Sequence, residues 1–183
     1  SALLAGSLVT LSLAPFNIWP AGILSCAMYA YLLCACSAKQ GLWRGWLFGL
    51  GMFGSGISWI YVSIHTYGGA SSLLAGGLTA LFILLWSLTF IPQGYVLSYL
   101  RDRGGWPNAP WMAMTWVLGE WFRGWFLTGF PWLYVGYAHT GTWAGHWAPI
   151  GGVLLVGFVV VLLAELLVRQ WRAPNHWRPV VVT

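Results

Sequence analysis

Charge is what this chain has least of. Across 183 residues there are 8 Lys+Arg and 3 Asp+Glu, 6% charged in all, beside a 59% hydrophobic content. Soluble domains average about 25% charged and about 45–50% apolar. A water-exposed globule could not hide so much apolar surface, so the surrounding medium must itself be apolar and the chain is read as an integral membrane protein. Dyad alternation in segments of about ten residues is missing too, which excludes a β-barrel in favour of helices. Cysteine is scarce: Cys26, Cys34 and Cys36 fall in one apolar run, match no metal spacing and are odd in number for a disulfide framework. They are read as small hydrophobes. No Ser or Cys stands beside His65, His139 or His146, and no carboxylate lies at ligand spacing from them, so neither nucleophilic catalysis nor a metal site is expected. No cofactor is expected.

The formal charge of +5 does not indicate nucleic acid, because the basic residues are few and separated by membrane-length segments. The chain opens with Ser1 and runs directly into apolar sequence, and it stops at Thr183 just as another apolar run begins. It is therefore expected to be a fragment, truncated at both ends, forming one transmembrane domain over residues 1–183.

A hydrocarbon core about 30 Å thick needs about 20 helical residues. The expected spans are Ala2–Ala14, Ala21–Ala38, Gly45–Ile64, Leu73–Leu100, Ala109–Phe122 and Ile150–Val168, with a seventh beginning near Pro179. The expected fold is thus an all-α, polytopic transmembrane helix bundle of about six spans plus a partial seventh. Pro15, Asn17 and Pro20 punctuate one turn, Gly68-Gly69 with Ser71-Ser72 a second, and Gly104-Gly105, Pro107 and Pro110 a third. Lys39 and Arg44 follow the second span, Arg101 and Arg103 the fourth, and Arg169, Arg172 and Arg178 the sixth. Alternating topology puts all three clusters on one side, the cytoplasmic side if positive loops stay inside, and segment 124–149 on the other. Glu165 and Arg169 are spaced to pair with each other. Gly45, Gly49 and Gly56, with Ser55, suit close helix packing.

Two charges break this pattern. Glu120 and Arg123 lie in an aromatic run, Gly119-Glu120-Trp121-Phe122-Arg123-Gly124-Trp125, three residues apart and so on one helical face. One reading is a salt bridge at the outer interface that pins a helix end. The other is a headgroup site in which Arg123 holds a phosphate. About one residue in three is aromatic from Trp125 to Trp147, interrupted by Gly129, Pro131 and Gly136 after Gly124. That texture suggests a re-entrant or surface-lying segment forming a lipid-lined mouth.

Three stretches carry a family resemblance: Leu13-Ala14-Pro15-Phe16-Asn17-Ile18-Trp19-Pro20; Gly51 to Ile64, containing Phe53-Gly54-Ser55-Gly56; and Arg123-Gly124-Trp125 through Leu127-Thr128-Gly129-Phe130-Pro131-Trp132. In order and spacing they resemble the bacterial apolipoprotein N-acyltransferases, over essentially the whole chain. The resemblance implies an inner-membrane enzyme that takes an acyl chain from a phospholipid donor onto an enzyme cysteine. The acyl chain then passes to the amine of a diacylglyceryl apolipoprotein acceptor, splitting one hard transfer into two. It also implies that the Glu-Lys-Cys machinery sits in a periplasmic nitrilase-like domain after the seventh helix. No such domain precedes Thr183, and neither Lys39 nor the three cysteines are placed to substitute. No catalytic residue is therefore expected in this chain, and alone it is expected to be inactive. What it would contribute is an anchor and a lipid route. Glu120 and Arg123 are expected at headgroup level, Phe130, Pro131 and Trp132 along the acyl channel with Gly129 at its turn, and Trp59, Tyr61 and Tyr67 on the opposite wall.

Two other readings remain at this point. A small transporter would require ionisable groups near mid-membrane, whereas Ser and Thr are the polar residues expected within the spans. The anchor or lipid-binding module of another lipid-linked transferase would look the same over these residues.

Overall fold

The computed structural model describes residues 1–34, 36–102 and 110–172. Every regular element among them is helical: α1 (Ala2–Ser12), α2 (Trp19–Leu33), α3 (Ala38–Gly56), α4 (Trp59–Val62), a π turn (Ser63–Tyr67), α5 (Ser72–Ser87), α6 (Phe90–Asp102), α7 (Trp111–Arg123), three 3₁₀ turns and α8 (Ala148–Arg172). The breaks follow local chemistry. Asn17 takes a left-handed conformation (φ 55°) between α1 and α2, and Pro20 sits in the first turn of α2, where its missing N–H costs nothing. Ser37 and Gln40 form a reciprocal capping box that starts α3. Ser71 caps α5 through the Leu74 N–H.

Each of the six expected apolar stretches contains helix, with different ends. The second stops at Leu33 rather than Ala38, so only Cys26 lies inside it; Cys34 is its C-cap and Cys36 lies beyond. The third begins earlier, at Ala38, and bends by 48° between α3 and the α4–π-turn segment. The fourth changes from α5 to α6 at Leu88-Thr89, shortly before Pro92, which constrains the residue that precedes it. Residues 72–101 and 143–172 are each long and apolar enough to cross a membrane, and the bent α3–α4 pair makes a third if it is taken as one span. α1 and α2 are apolar and shorter. The seventh span expected near Pro179 lies outside the described residues.

α3 sits centrally, packed on α1, α5 and α6, while α8 joins α2 to α7. Glycine permits the closest approaches. A Cβ on Gly6 of α1 would strike the Phe48 carbonyl, and one on Gly51 of α3 would strike the Leu3 carbonyl. With hydrocarbon on the outside there is little hydrophobic drive between helices, so such backbone proximity supplies the van der Waals attraction. Between these helices lies an aromatic core: Tyr29 stacks on Phe48 at 4.3 Å, and Phe90 and Trp116 meet Phe48 at 5.1 and 5.7 Å. Polar residues in the bundle are not confined to Ser and Thr. Gln93 is buried and donates to Thr115 at 3.4 Å.

The basic clusters gather at one end. Arg44 donates to the Leu32 carbonyl, Arg101 to those of Leu33 and Cys36 at 3.2 and 2.7 Å, and Arg172 to that of Cys34 at 3.2 Å. These arginines, from α3, α6 and α8, thereby satisfy carbonyls that the end of α2 leaves without intrahelical donors. Glu165 accepts from Arg169 at 2.6 Å as its spacing predicts, and its second oxygen accepts the Ala113 N–H in the first turn of α7.

Candidate functional site

α7 carries its buried face at Met112, Ala113, Trp116, Glu120 and Arg123, the spacing of one helical stripe. The two charges at its end are therefore interior: Glu120 is fully buried and Arg123 is 2% exposed. Neither a surface salt bridge nor an open headgroup site describes them. The two side chains do not hydrogen-bond each other. Glu120 Oε1 accepts from Trp116 Nε1 at 2.9 Å and from the Val135 backbone N–H at 3.0 Å, and its backbone carbonyl accepts from the Tyr134 hydroxyl. The Arg123 guanidinium lies 5.5 Å from the ring centres of Phe53, Phe90 and Tyr134, an aromatic cage for a cation. Arg123 Nε and Nη2 and Glu120 Oε2 have no hydrogen-bond partner among the described residues. Their attraction acts through space in a low-dielectric interior.

The pair organises the chain that follows. The Phe130 N–H donates to the Arg123 carbonyl at 2.6 Å, so the segment folds back on α7 within seven residues. That return demands unusual backbone: Leu127, Thr128 and Leu133 have φ of 50°, 74° and 59°, and Gly129 has 91°. Positive φ in a β-branched residue such as Thr128 is a steric outlier that persists only where surroundings over-determine it. Here the bonds from Phe130 to Arg123, and from Tyr134 and Val135 to Glu120, supply that constraint. At Gly129 a Cβ would meet the Gly124 carbonyl, so glycine is required for space as well as for φ.

The strained segment forms one wall of a groove of about 540 Å³. Pro131, Trp132 and Leu133 line it with Tyr137 and Ala138; Thr10 of α1, Leu13, Ala14 and Asn17 of the turn after it, Gly56 at the end of α3 and Trp59 at the start of α4 complete the lining. Trp132 and Trp59 meet at 5.3 Å, and Phe130 links Trp132 (5.8 Å) to Trp86 of α5 (5.4 Å). A continuous aromatic rim thus runs from α4 to α5. The groove lies at the opposite end of the bundle from the arginines, since α2, α3 and α8 each run between the two. Its volume is that of a small-molecule site, about 300–1,000 Å³, and its lining is mostly apolar with a few polar groups. None of its lining residues is Cys, His, Lys or a carboxylate. It can hold a hydrocarbon chain and offers no nucleophile or base.

Of the residues singled out by sequence, Trp59, Pro131 and Trp132 meet in the groove, while Gly129, Phe130, Glu120 and Arg123 support its wall from behind. Tyr61 and Tyr67 are not brought there: Tyr61 packs against His65 at 5.4 Å and Tyr67 is 85% exposed beyond the bend. Sequence reasoning puts Glu120 with Arg123 and misses its partners Val135 and Trp116. It also misses the burial of His139, which is fully enclosed against Trp19 at 5.9 Å, neither ring nitrogen having a hydrogen-bond partner among the described residues. Burial holds this imidazole well below its usual range, at about 4, so it is neutral. A polar loop histidine carries no local signal of burial.

The fold and groove define a helical, membrane-type domain with a mostly apolar groove at one end. The family model described as the apolipoprotein N-acyltransferase N-terminal domain matches residues 5–166, and the chain belongs to that family. It is 50% identical over 173 residues to an apolipoprotein N-acyltransferase of Pseudomonas syringae pv. tomato, covering 93% of this chain and 34% of that protein. It is 48% identical over 180 residues to that of Pseudomonas aeruginosa, strain PAO1, covering 96% and 35%. The Vibrio parahaemolyticus protein of the same name is 35% identical over 192 residues, covering 100% and 36%. The chain spans about a third of the length of these relatives.

Proposed function

We propose that this chain is the membrane domain of an apolipoprotein N-acyltransferase, an enzyme passing an acyl chain from a phospholipid to the N-terminal diacylglyceryl-cysteine of a lipoprotein. In this reading the domain anchors the enzyme in the bacterial inner membrane and guides its lipid substrates, and the chemistry belongs to the remaining two thirds of the protein. Among the described residues the spans number six, from α1, α2, α3–α4, α5–α6, α7 and α8. The arginine end faces the cytoplasm, as positive charge near span ends favours, and segment 124–149 faces the periplasm.

The observation that carries the reading is the apolar groove at the end opposite the arginines, walled by Pro131 and Trp132. One acyl chain lies between Trp132 and Trp59, with Thr10 and Asn17 toward its polar end. Glu120, Arg123, Gly129 and Phe130 set the wall's shape, and Tyr61 and Tyr67 meet lipid away from the groove. The test is Trp132→Ala in the full-length protein, with transfer measured to a diacylglyceryl peptide. Losing one aromatic wall should lower kcat/KM about tenfold, the equivalent of about 1.4 kcal/mol. Normal transfer would remove Trp132 and the groove from the lipid route.

A further inference from the structure

The arginine end of the bundle holds two cations, Arg44 and Arg172, whose hydrogen bonds among the described residues go to neutral backbone carbonyls. Arg44 and Arg172 both donate to carbonyls within residues 32–36, where Arg101 donates as well. A helix C-terminus offers only about half a unit of negative charge, against the two full charges of Arg44 and Arg172. Glu165 is engaged with Arg169, one turn before Arg172. Lys39 stands exposed at the start of α3. Like charges crowded on neutral carbonyls create a local demand for an anion.

Both guanidinium groups can meet it. Each has five N–H donors, and Arg44 and Arg172 each give one to a carbonyl. Arg172 is exposed and Arg44 half-buried, so their remaining donors are open to the surface. One aromatic side chain stands against them, and two exposed tryptophans adjoin them in the chain. Tyr31, 50% exposed, lies beneath Arg172 with the cation 4.9 Å from the ring centre; Trp43, next to Arg44, and Trp171, next to Arg172, are 60% and 81% exposed. Paired guanidinium groups suit a phosphate, and amphipathic rings at the same level suit the acyl chains below it.

We propose that Arg44 and Arg172, with Tyr31 and Trp43, form a binding site for the headgroup of an anionic phospholipid in the leaflet at this end of the bundle. The site is separate from the groove and requires only that this end meets a lipid headgroup layer. A soluble phosphate would satisfy the cations but leave the exposed rings unused, so a lipid is the occupant.

The experiment titrates purified full-length protein in detergent with ether-linked phosphatidylglycerol, or with phosphatidylcholine of the same chain length, and counts bound lipid by native mass spectrometry. Wild-type protein should hold phosphatidylglycerol about thirtyfold more tightly than phosphatidylcholine, the equivalent of about 2 kcal/mol for the two basic side chains. The double variant Arg44→Gln/Arg172→Gln should lose that preference, and Arg44→Lys/Arg172→Lys, which keeps the charge and guards against misfolding of the neutral variant, should keep most of it. Trp132→Ala in the groove should leave it unchanged. The proposal is overturned if wild-type protein shows no preference, if the glutamine variant retains it, if the lysine variant loses it as fully, or if glycerol phosphate at equal concentration displaces the lipid.

Discussion

Removing the Glu120 carboxylate tests the account of the groove wall most directly. In Glu120→Ala the Val135 N–H and the Trp116 indole N–H lose their acceptor in a site without solvent. An unsatisfied buried donor costs about 1–3 kcal/mol, so the two together cost about 2–6 kcal/mol. Arg123 is then left as an uncompensated cation among three rings; breaking a buried charge pair costs about 3–5 kcal/mol, and this overlaps with the first cost. A total near 5 kcal/mol, on the order of 10 °C in Tm for a domain of this size, is expected. Glu120→Gln retains an oxygen that accepts both bonds, so it should lose only the part due to the charge and remain the more stable of the two variants. Arg123→Met should also be milder than Glu120→Ala, because Glu120 keeps its two donors and the methionine refills the cage. The assay is thermal unfolding of full-length protein in one detergent, with amide hydrogen exchange read at Val135 and Phe130. Faster exchange confined to residues 124–139 should precede global unfolding in Glu120→Ala. An unchanged Tm with unchanged Val135 protection, or a glutamine variant as damaged as the alanine one, would refute the role given to the carboxylate.

Acid should also reveal His139. Its folded pKa, about 4, lies below the ordinary 6.5, so between these values the unfolded chain binds the extra proton. The contribution is fully present above about 6.5 and is lost as pH falls toward 4. His139→Phe, which keeps a ring against Trp19, should flatten the dependence of Tm on pH in that window; an unaltered slope would remove the histidine from the explanation. Glycine positions should separate by packing. Gly6→Ala and Gly51→Ala drive a methyl into opposing backbone and should cost several kcal/mol, about the upper range for overpacking, measured by Tm in detergent. A Cβ placed on Gly76 would have nothing within 4 Å, so Gly76→Ala should be neutral or gain up to about 1 kcal/mol from helix propensity, read in the same melts.

Much of this protein is legible in its residues because the controlling physics is local. Scarcity of charge dictates an apolar medium, and in such a medium every backbone polar group must be satisfied within the segment, so helices follow. Asn17 and Pro20 end and restart a helix, and Ser37 and Gln40 begin one, by interactions within four residues of chain. Residue order likewise puts the basic clusters on a common side. Helix ends were less legible: the second helix stops at Leu33 because arginines 12, 68 and 138 residues away take its carbonyls. The same distance in sequence separates the sequence reading from the site. Glu120 and Arg123 share a face by spacing, yet only the fold decides that the carboxylate holds Val135 and Trp116 while the guanidinium stacks among Phe53, Phe90 and Tyr134. Beyond the bend after Gly56, only the fold decides that Trp59 lines the groove while Tyr61 and Tyr67 do not. Composition and spacing determined by themselves that this is a helical membrane domain with an unusual charged helix end. Which side chains meet there was decided by packing, because partner choice depends on close approaches between segments that no local preference encodes.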